Sequence, residues 1–364
     1  VQAAPAVRRT RPAQPPLPAL QAASRPEKGG PTVTGLPQCD RCTPLGHDHH
    51  QRADEAAVWV PDRREWLCEH CRDELGVTPI PSDDGLHPNI TDINYHADLD
   101  SLSSSGAKSL LDCPAKFDHG RRNPSKPKQE YDFGHVTHKL VLGEGADIVV
   151  VPFEEWRTNE AKAMRDRAYA EHKIPIKPSQ YAIAQQMAAA VLEHPLAAKL
   201  LQAPGYSELS GYWHDPLTGV RLRYRPDRLA ELPGRIVCVD YKSTKDANPV
   251  QFAKASIDYG YIQSDPWYRA GLEANGITDD PAFIFIAQEK TAPFLVSVLQ
   301  HDPDDVQRGR ELNRAAIDLY AHCRDTNHWP GYGDGLHTMR MPGWHAPQHE
   351  ARMEAITRMS EIAA

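Results

Sequence analysis

Four of the chain's cysteines stand as two C-x2-C pairs, Cys39-Asp-Arg-Cys42 and Cys68-Glu-His-Cys71, separated by 25 residues. Each pair can present two thiolates to one tetrahedral zinc ion, so the segment between them has to fold back on itself. Val58-Trp59-Val60 and Glu65-Trp66-Leu67 read as the small hairpin that brings the pairs together. Zinc in such a site contributes folding free energy on the order of 10 kcal/mol, which so short a module needs. Cys39, Cys42, Cys68 and Cys71 already close the coordination shell, which marks a structural Zn²⁺ site; His47, His49, His50 and His70 are spare donors that could replace one thiolate. Seven cysteines in all is an odd number for a disulfide framework, and the pairing suits a reducing compartment.

Texture divides the rest of the chain. Residues 1–37 hold 8 of the 32 prolines and almost no large apolar side chains, so they are expected to be a disordered leader. The zinc module follows at 38–75, and a stretch rich in Pro, Gly and Asp at 76–98 reads as a linker. From 99 to 332 helical and strand patterns alternate, and 333–364 reads as a C-terminal tail. The formal charge of −8 counts against coating nucleic acid by bulk electrostatics but leaves room for local basic patches. No window approaches the ~18 uninterrupted apolar residues of a membrane span, and the N-terminal arginines lack the apolar run of a secretory signal. A soluble protein of the cytoplasm, without membrane partners, is expected.

Within the main domain, helices are expected over 103–117, 133–142, 154–172 and 178–192, followed by strands over 206–214, 220–231 and 235–243. Helices near 249 and over 266–275, strands over 283–287 and 294–299, and a closing helix over 306–323 complete an α/β order. The informative residues are Arg225-Pro-Asp227 and Asp240-Tyr-Lys242. Two carboxylates at the ends of adjacent strands make an oxygen-rich site for Mg²⁺, which shares its coordination with substrate phosphate. A lysine two residues past the second acid projects from the same face of the strand, where it can orient a water molecule and offset charge on a phosphoryl group. The acid-x-Lys triplet alone is weak evidence. Glu160/Lys162 and Glu171/Lys173 also match, and chance gives about two in so acidic a chain. Only Asp240/Lys242 follows an apolar strand, Ile236-Val-Cys-Val239.

Taken with Gly134-His-Val-Thr-His138, Glu208-Leu-Ser210, Arg223-Tyr-Arg-Pro-Asp227, Asp240-Tyr-Lys-Ser-Thr244 and Trp329-Pro-Gly-Tyr332, the region from Ser103 to Tyr332 resembles the PD-(D/E)XK nuclease superfamily. Within it the chain looks most like the RecE-type exonucleases of phages and prophages. The resemblance implies an α/β restriction-endonuclease-like core, a central mixed sheet flanked by helices, behind a small zinc-ribbon-like module. It implies that His138, Asp227, Asp240 and the backbone carbonyl of Tyr241 hold Mg²⁺, for which Mn²⁺ can substitute, and that Lys242 is the catalytic lysine. Glu208 corresponds to the acid of the first strand, and Gln263, with Tyr268, to a glutamine–tyrosine motif whose usual spacing is one residue shorter. Arg221, Arg223 and Arg225 alternate along one strand face beside Asp227 and are expected to track the phosphate backbone. Trp213, Tyr259, Trp267 and Tyr268 are expected in the core.

Further implications are duplex DNA ends as substrate, cut from the 5′ end in a bacterial host cell to leave 3′ single strands, a RecT-like annealing recombinase as partner, and a homo-oligomer. The alternatives are a RecB/Cas4-like repair or defence nuclease, and a zinc-module adaptor with an inactive nuclease fold. Iron–sulfur relatives need one cysteine before the core and three after it. Here Cys113 precedes it and only Cys238 and Cys323 follow, so no such cluster is expected.

Overall fold

The computed structural model describes residues 38–42, 57–60, 63, 65–75, 78–123 and 127–363. The leader at 1–37 and the spare histidines His47, His49 and His50 lie outside the described residues. The first elements are β1 (Val58–Val60), β2 (Glu65–Leu67), α1 (Glu69–Leu75), β3 (Gly85–His87), α2 (Asp92–Ala97), β4 (Leu102–Ser103), α3 (Ser104–Asp112) and α4 (Pro114–Arg122). Next come α5 (Gln129–Leu142), β5 (Ile148–Val150), α6 (Asn159–Ala170), β6 (Ile174–Ile176), α7 (Pro178–Glu193) and α8 (Pro195–Gln202). The sheet strands follow as β7 (Gly205–Ser207), β8 (Ser210–His214), β9 (Arg221–Tyr224), β10 (Arg228–Leu232) and β11 (Arg235–Thr244). The remainder is α9 (Pro249–Asp258), α10 (Ser264–Ala274), β12 (Ala282–Glu289), β13 (Val296–Leu299), α11 (Pro303–Thr326) and α12 (His345–Ala363).

The chain divides into two compact units, residues 1–329 and 330–364. The second is no featureless tail, since it carries α12. In the first, five strands form a mixed sheet in the order β13-β12-β11-β10-β7, in which only β11 and β12 run parallel. Parallel neighbours need a crossover, and α9 and α10 supply it. Strand β11 is buried on both faces. Val237, Val239 and Tyr241 pack with Ala230, Ile286 and Val141 of α5, while Cys238 packs with Leu229, Phe283 and Phe285. Period-two alternation therefore puts Asp240 and Lys242 on the Cys238 side.

A second sheet, β3-β8-β9-β4, contains two strands outside the expected set. The 76–98 linker is in fact structured: β3 pairs antiparallel with β8, Gly85 opposite Tyr212, and Thr91 caps α2 through Asn94 N–H. Its Pro, Gly and Asp content suggested a linker. Ile90 and Tyr95 are enough to anchor it, because they pack on the fully buried Tyr212 of β8. Between the second sheet and α10, the Tyr224 ring fits only because Gly211 and Gly271 face it; a Cβ would come within 2.2 and 2.4 Å of ring carbons.

Two expected strands are each split in two. The 206–214 run breaks at Glu208-Leu209, and the 220–231 run at Arg225-Pro-Asp227. Both breaks carry candidate site residues.

Candidate active site

Four elements converge on the break before β10. Arg228 pairs with Val239, so Asp227 enters the sheet beside Asp240, and the Tyr241 N–H donates to Asp227 Oδ2 at 2.7 Å. Helix α5 brings His138 Nε2 to 3.2 Å from Asp227 Oδ2 and 3.7 Å from Glu208 Oε1. Glu208 holds a left-handed backbone, φ 54°, in which its N–H donates to the carbonyl of Pro226 at 3.2 Å. A non-glycine residue tolerates that conformation only where its surroundings impose it, and here it turns the carboxylate out of the strand toward His138. One ligand atom from each of His138, Glu208 and Asp227 lies within 4.8 Å of the others.

Burial and neighbouring charges compete in setting the ionisation of this cluster. Burial and the neighbouring Asp227 push Glu208 up to about 7. Burial opposes ionisation of Asp227 too, but His138 and Lys242 outweigh it and hold the carboxyl below its usual value. Burial likewise works against a charged His138, and Asp227 and Glu208 prevail to raise it. Asp240 is raised by burial despite its ion pair with Lys242. Carboxylate oxygens crowded together with an imidazole nitrogen suit a divalent cation such as Mg²⁺ or Mn²⁺. The ligand group differs from expectation in one respect: Glu208 stands with His138 and Asp227, whereas Asp240 is engaged by Lys242.

A family profile described as PDDEXK-like domain of unknown function (DUF3799) matches residues 103–342. The chain belongs to this family. Its fold and superfamily are thereby those that the Asp227, Asp240 and Lys242 pattern suggested. Among solved structures, a protein of Eubacterium rectale provisionally named an exonuclease aligns with a TM-score of 0.48 and 11% identity, over 70% of this chain and 96% of that one. No curated protein matches the chain. The profile begins at Ser103, so β3, which completes the second sheet, and α2, which packs through Tyr95 on β8, lie before the matched region.

Those preceding elements engage the arginine row that was expected to meet DNA. Arg221, Arg223 and Arg225 do share a strand face, but the 78–101 segment covers it. Arg223 donates to the carbonyls of Asp98 and Ser101, at 2.9 and 2.7 Å, and lies over the Tyr95 ring. Arg225 donates to Ser210 Oγ at 2.9 Å and to the Ile90 carbonyl at 3.0 Å, its guanidinium 4.0 Å from the centre of the same ring. Arg221 reaches the Asp83 carbonyl and lies over Tyr212. Gln263 is buried as well, exchanging hydrogen bonds with Asn313 of α11. All four fasten the domain together. Arg225→Met is therefore expected to cost about 3 kcal/mol in urea unfolding, because it strands buried acceptors, against less than about 1 kcal/mol for Arg221→Met. A loss below about 1 kcal/mol in Arg225→Met would contradict this assignment.

Several contributors to the site escaped the sequence reading. Trp267 Nε1 donates to the Arg223 carbonyl at 3.0 Å and Tyr268 Oη to the Arg225 carbonyl at 3.2 Å, so α10 pins the segment leading into Asp227. Lys108 of α3 places its ammonium 5.4 Å from the centre of the Tyr261 ring, which Lys242 also approaches, at 5.6 Å. Tyr259, expected in the core, is 67% exposed because it follows α9 at the surface. Trp213, Trp267 and Tyr268 belong to the core or pack against it.

The second candidate metal centre lies at the zinc module. Cys39, Cys42, Cys68 and Cys71 are buried and mutually within 4.8 Å, with Cys42 Sγ 3.4 Å from Cys71 Sγ and 3.7 Å from Cys68 Sγ. Tetrahedral Zn–S bonds of about 2.3 Å put sulfurs about 3.8 Å apart, so the group fits zinc. The separations are far too long for disulfides. Burial works against a Cys39 thiolate, but the backbone donors of Cys68, Cys42 and Arg41 hold the thiol down at about 7. Among the described residues Cys113, Cys238 and Cys323 join no such group.

Proposed function

We propose that the protein is a Mg²⁺-dependent deoxyribonuclease, an exonuclease of the RecE type that degrades one strand of linear duplex DNA from its 5′ end. The observation that carries this reading is the meeting of His138, Glu208 and Asp227 beside the Asp240–Lys242 pair at the centre of a PDDEXK-like domain. His138, Glu208 and Asp227 would hold the metal, with Asp240 and the Tyr241 carbonyl completing the shell toward substrate. When bound, Mg²⁺ or Mn²⁺ supplies Lewis-acid polarisation of the scissile phosphate. Lys242, kept protonated by Asp240 and Asp227, orients the attacking water and donates to phosphate oxygen. Water forms the new bond to phosphorus and gives up its proton to solvent. The bond to the 3′ oxygen breaks, and that oxygen takes up a proton, leaving a 5′-phosphate product.

Continued resection would leave 3′ single strands for a RecT-like annealing recombinase in the cytoplasm of a bacterial host. A homo-oligomer would keep the enzyme on its track, and the zinc module would dock DNA or a partner. Among the described residues no helix is long and apolar enough to cross a membrane.

A linear duplex labelled at either end tests the proposal. Hydrolysis is expected with Mg²⁺ or Mn²⁺, is expected to stop on chelation, and should start at the 5′ end. Asp227→Asn should slow it by about 10³-fold, the scale of losing one group that acts on the transition state. Release from the 3′ end would favour a RecB/Cas4-like enzyme instead. No metal-dependent hydrolysis at all would favour a non-catalytic adaptor.

A further inference from the structure

Beside the metal cluster lies an aromatic ladder that the mechanism does not use. Phe252 of α9 stacks on Tyr261 with ring centres 6.0 Å apart and planes 29° apart, and Tyr261 stacks on Tyr259 at 5.6 Å and 29°. The ladder starts in the core, at the buried Phe252, and ends in solvent at Tyr259. Ile257 and Val250 of the same helix are also exposed, at 73% and 65%. Its middle ring, Tyr261, is the one that both Lys108 and Lys242 approach.

Lys108 is peculiar in its own right. Its Nζ is 2.8 Å from the neutral Ser264 Oγ, and among the described residues no carboxylate lies within ion-pair distance of it. Lys242, by contrast, is neutralised by Asp240. A half-buried ammonium without a carboxylate, beside a nuclease-type centre, is a ready contact for an anionic oxygen. One ring further out, an exposed tyrosine offers its face to a planar group. Cation, ring and open ring face come in the order that phosphate and base take in a nucleotide.

We propose that Tyr259 is a base-stacking positioning residue for the nucleotide beside the scissile phosphate, and that Lys108 donates a hydrogen bond to a non-bridging oxygen of that phosphate. This rests on the nuclease reading and extends it by naming how the DNA end is seated. Stacking on an aromatic face is tolerant of sequence, as an enzyme that degrades any strand requires.

Two measurements on the full chain separate this inference from the reading beneath it. The first is fluorescence of a duplex carrying 2-aminopurine at the 5′-terminal nucleotide, bound in Ca²⁺ without turnover. Quenching is expected with the wild type and with Tyr259→Trp, and none with Tyr259→Ala. The second is steady-state hydrolysis in Mg²⁺. Tyr259→Ala should raise KM about ten-fold with kcat little changed, and Tyr259→Phe should restore it. Lys108→Met should lower kcat/KM by about 10²-fold, with partial recovery in Lys108→Arg. An active wild type whose probe stays bright on binding, or whose Tyr259→Ala variant keeps a wild-type KM, overturns the role of Tyr259. Unchanged kcat/KM in Lys108→Met overturns that of Lys108. An inactive wild type overturns the nuclease reading instead.

Discussion

Replacing Lys242 by methionine is expected to lower phosphodiester hydrolysis by at least about 10³-fold while DNA binding persists. The lysine lies on the Asp240 side of β11 and is ion-paired with it, so its ammonium is fixed rather than free to wander over the surface. A preorganised donor of that kind is worth about 10²–10³ in rate, and orienting the nucleophilic water adds to it. The loss should fall on kcat, since the group acts where charge develops and not on the rest of the duplex. A structural consequence separates the pair from its neighbours. Lys242→Met leaves Asp240 buried without its partner, which costs about 3 kcal/mol, whereas adding Asp240→Asn should recover most of that stability without recovering activity. Single-turnover rates and urea unfolding of the single and double variants measure both effects. Retention of more than about a tenth of the wild-type rate by Lys242→Met would remove the lysine from the mechanism.

Much of this site was legible because it is local. Asp240 and Lys242 are two residues apart on an apolar strand, and the alternation that gives them one face is a property of any strand. Helix α5 and the hairpin of β10 and β11 were similarly marked by periodicity and by Pro233-Gly234, where Gly234 adopts φ 77°. What the sequence concealed depends on contacts between distant segments. The breaks at Glu208 and at Arg225-Pro-Asp227 interrupt runs whose apolar residues continue on either side, and only the Glu208 N–H to Pro226 carbonyl bond shows why both occur together. The arginine row was correctly placed on one face. What covers that face, α2 and Tyr95, sat in a stretch whose polarity resembled a linker. Tyr259 follows the same logic in reverse: an aromatic residue is core until the structure shows its helix ending at the surface.

The zinc module is expected to show the largest stability effect of any single site. Among the described residues its apolar cluster consists of the four cysteines with Ala57, Val60 and Leu67, against which Leu75 packs, and such a cluster cannot offset the chain entropy of the segment without metal. Structural zinc supplies about 10–16 kcal/mol in modules of this size. One equivalent of zinc per chain is therefore expected by elemental analysis, and Cys42→Ser, which removes a thiolate 3.7 Å from Cys68 Sγ and 3.4 Å from Cys71 Sγ, should abolish it. The hairpin should then open. The first cysteine pair is otherwise tied to β2 by the Asp40 N–H to Trp66 carbonyl bond at 2.8 Å, the Trp66 N–H to Asp40 Oδ2 bond at 2.6 Å and the exposed Arg41–Glu65 ion pair at 3.0 Å, contacts too weak to hold it once the cysteines separate. Limited proteolysis should cut Cys42→Ser within β2 and α1, between residues 65 and 75, while sparing the wild type there. The PDDEXK-like domain has its own core clusters, built from residues outside the module, so hydrolysis of naked duplex should survive this substitution. If activity on naked duplex disappears along with the zinc, the module is part of the catalytic fold; if only loading onto DNA or a partner suffers, it is a docking element. A protein that binds no zinc and resists proteolysis would show that the four thiols pack as a core of their own.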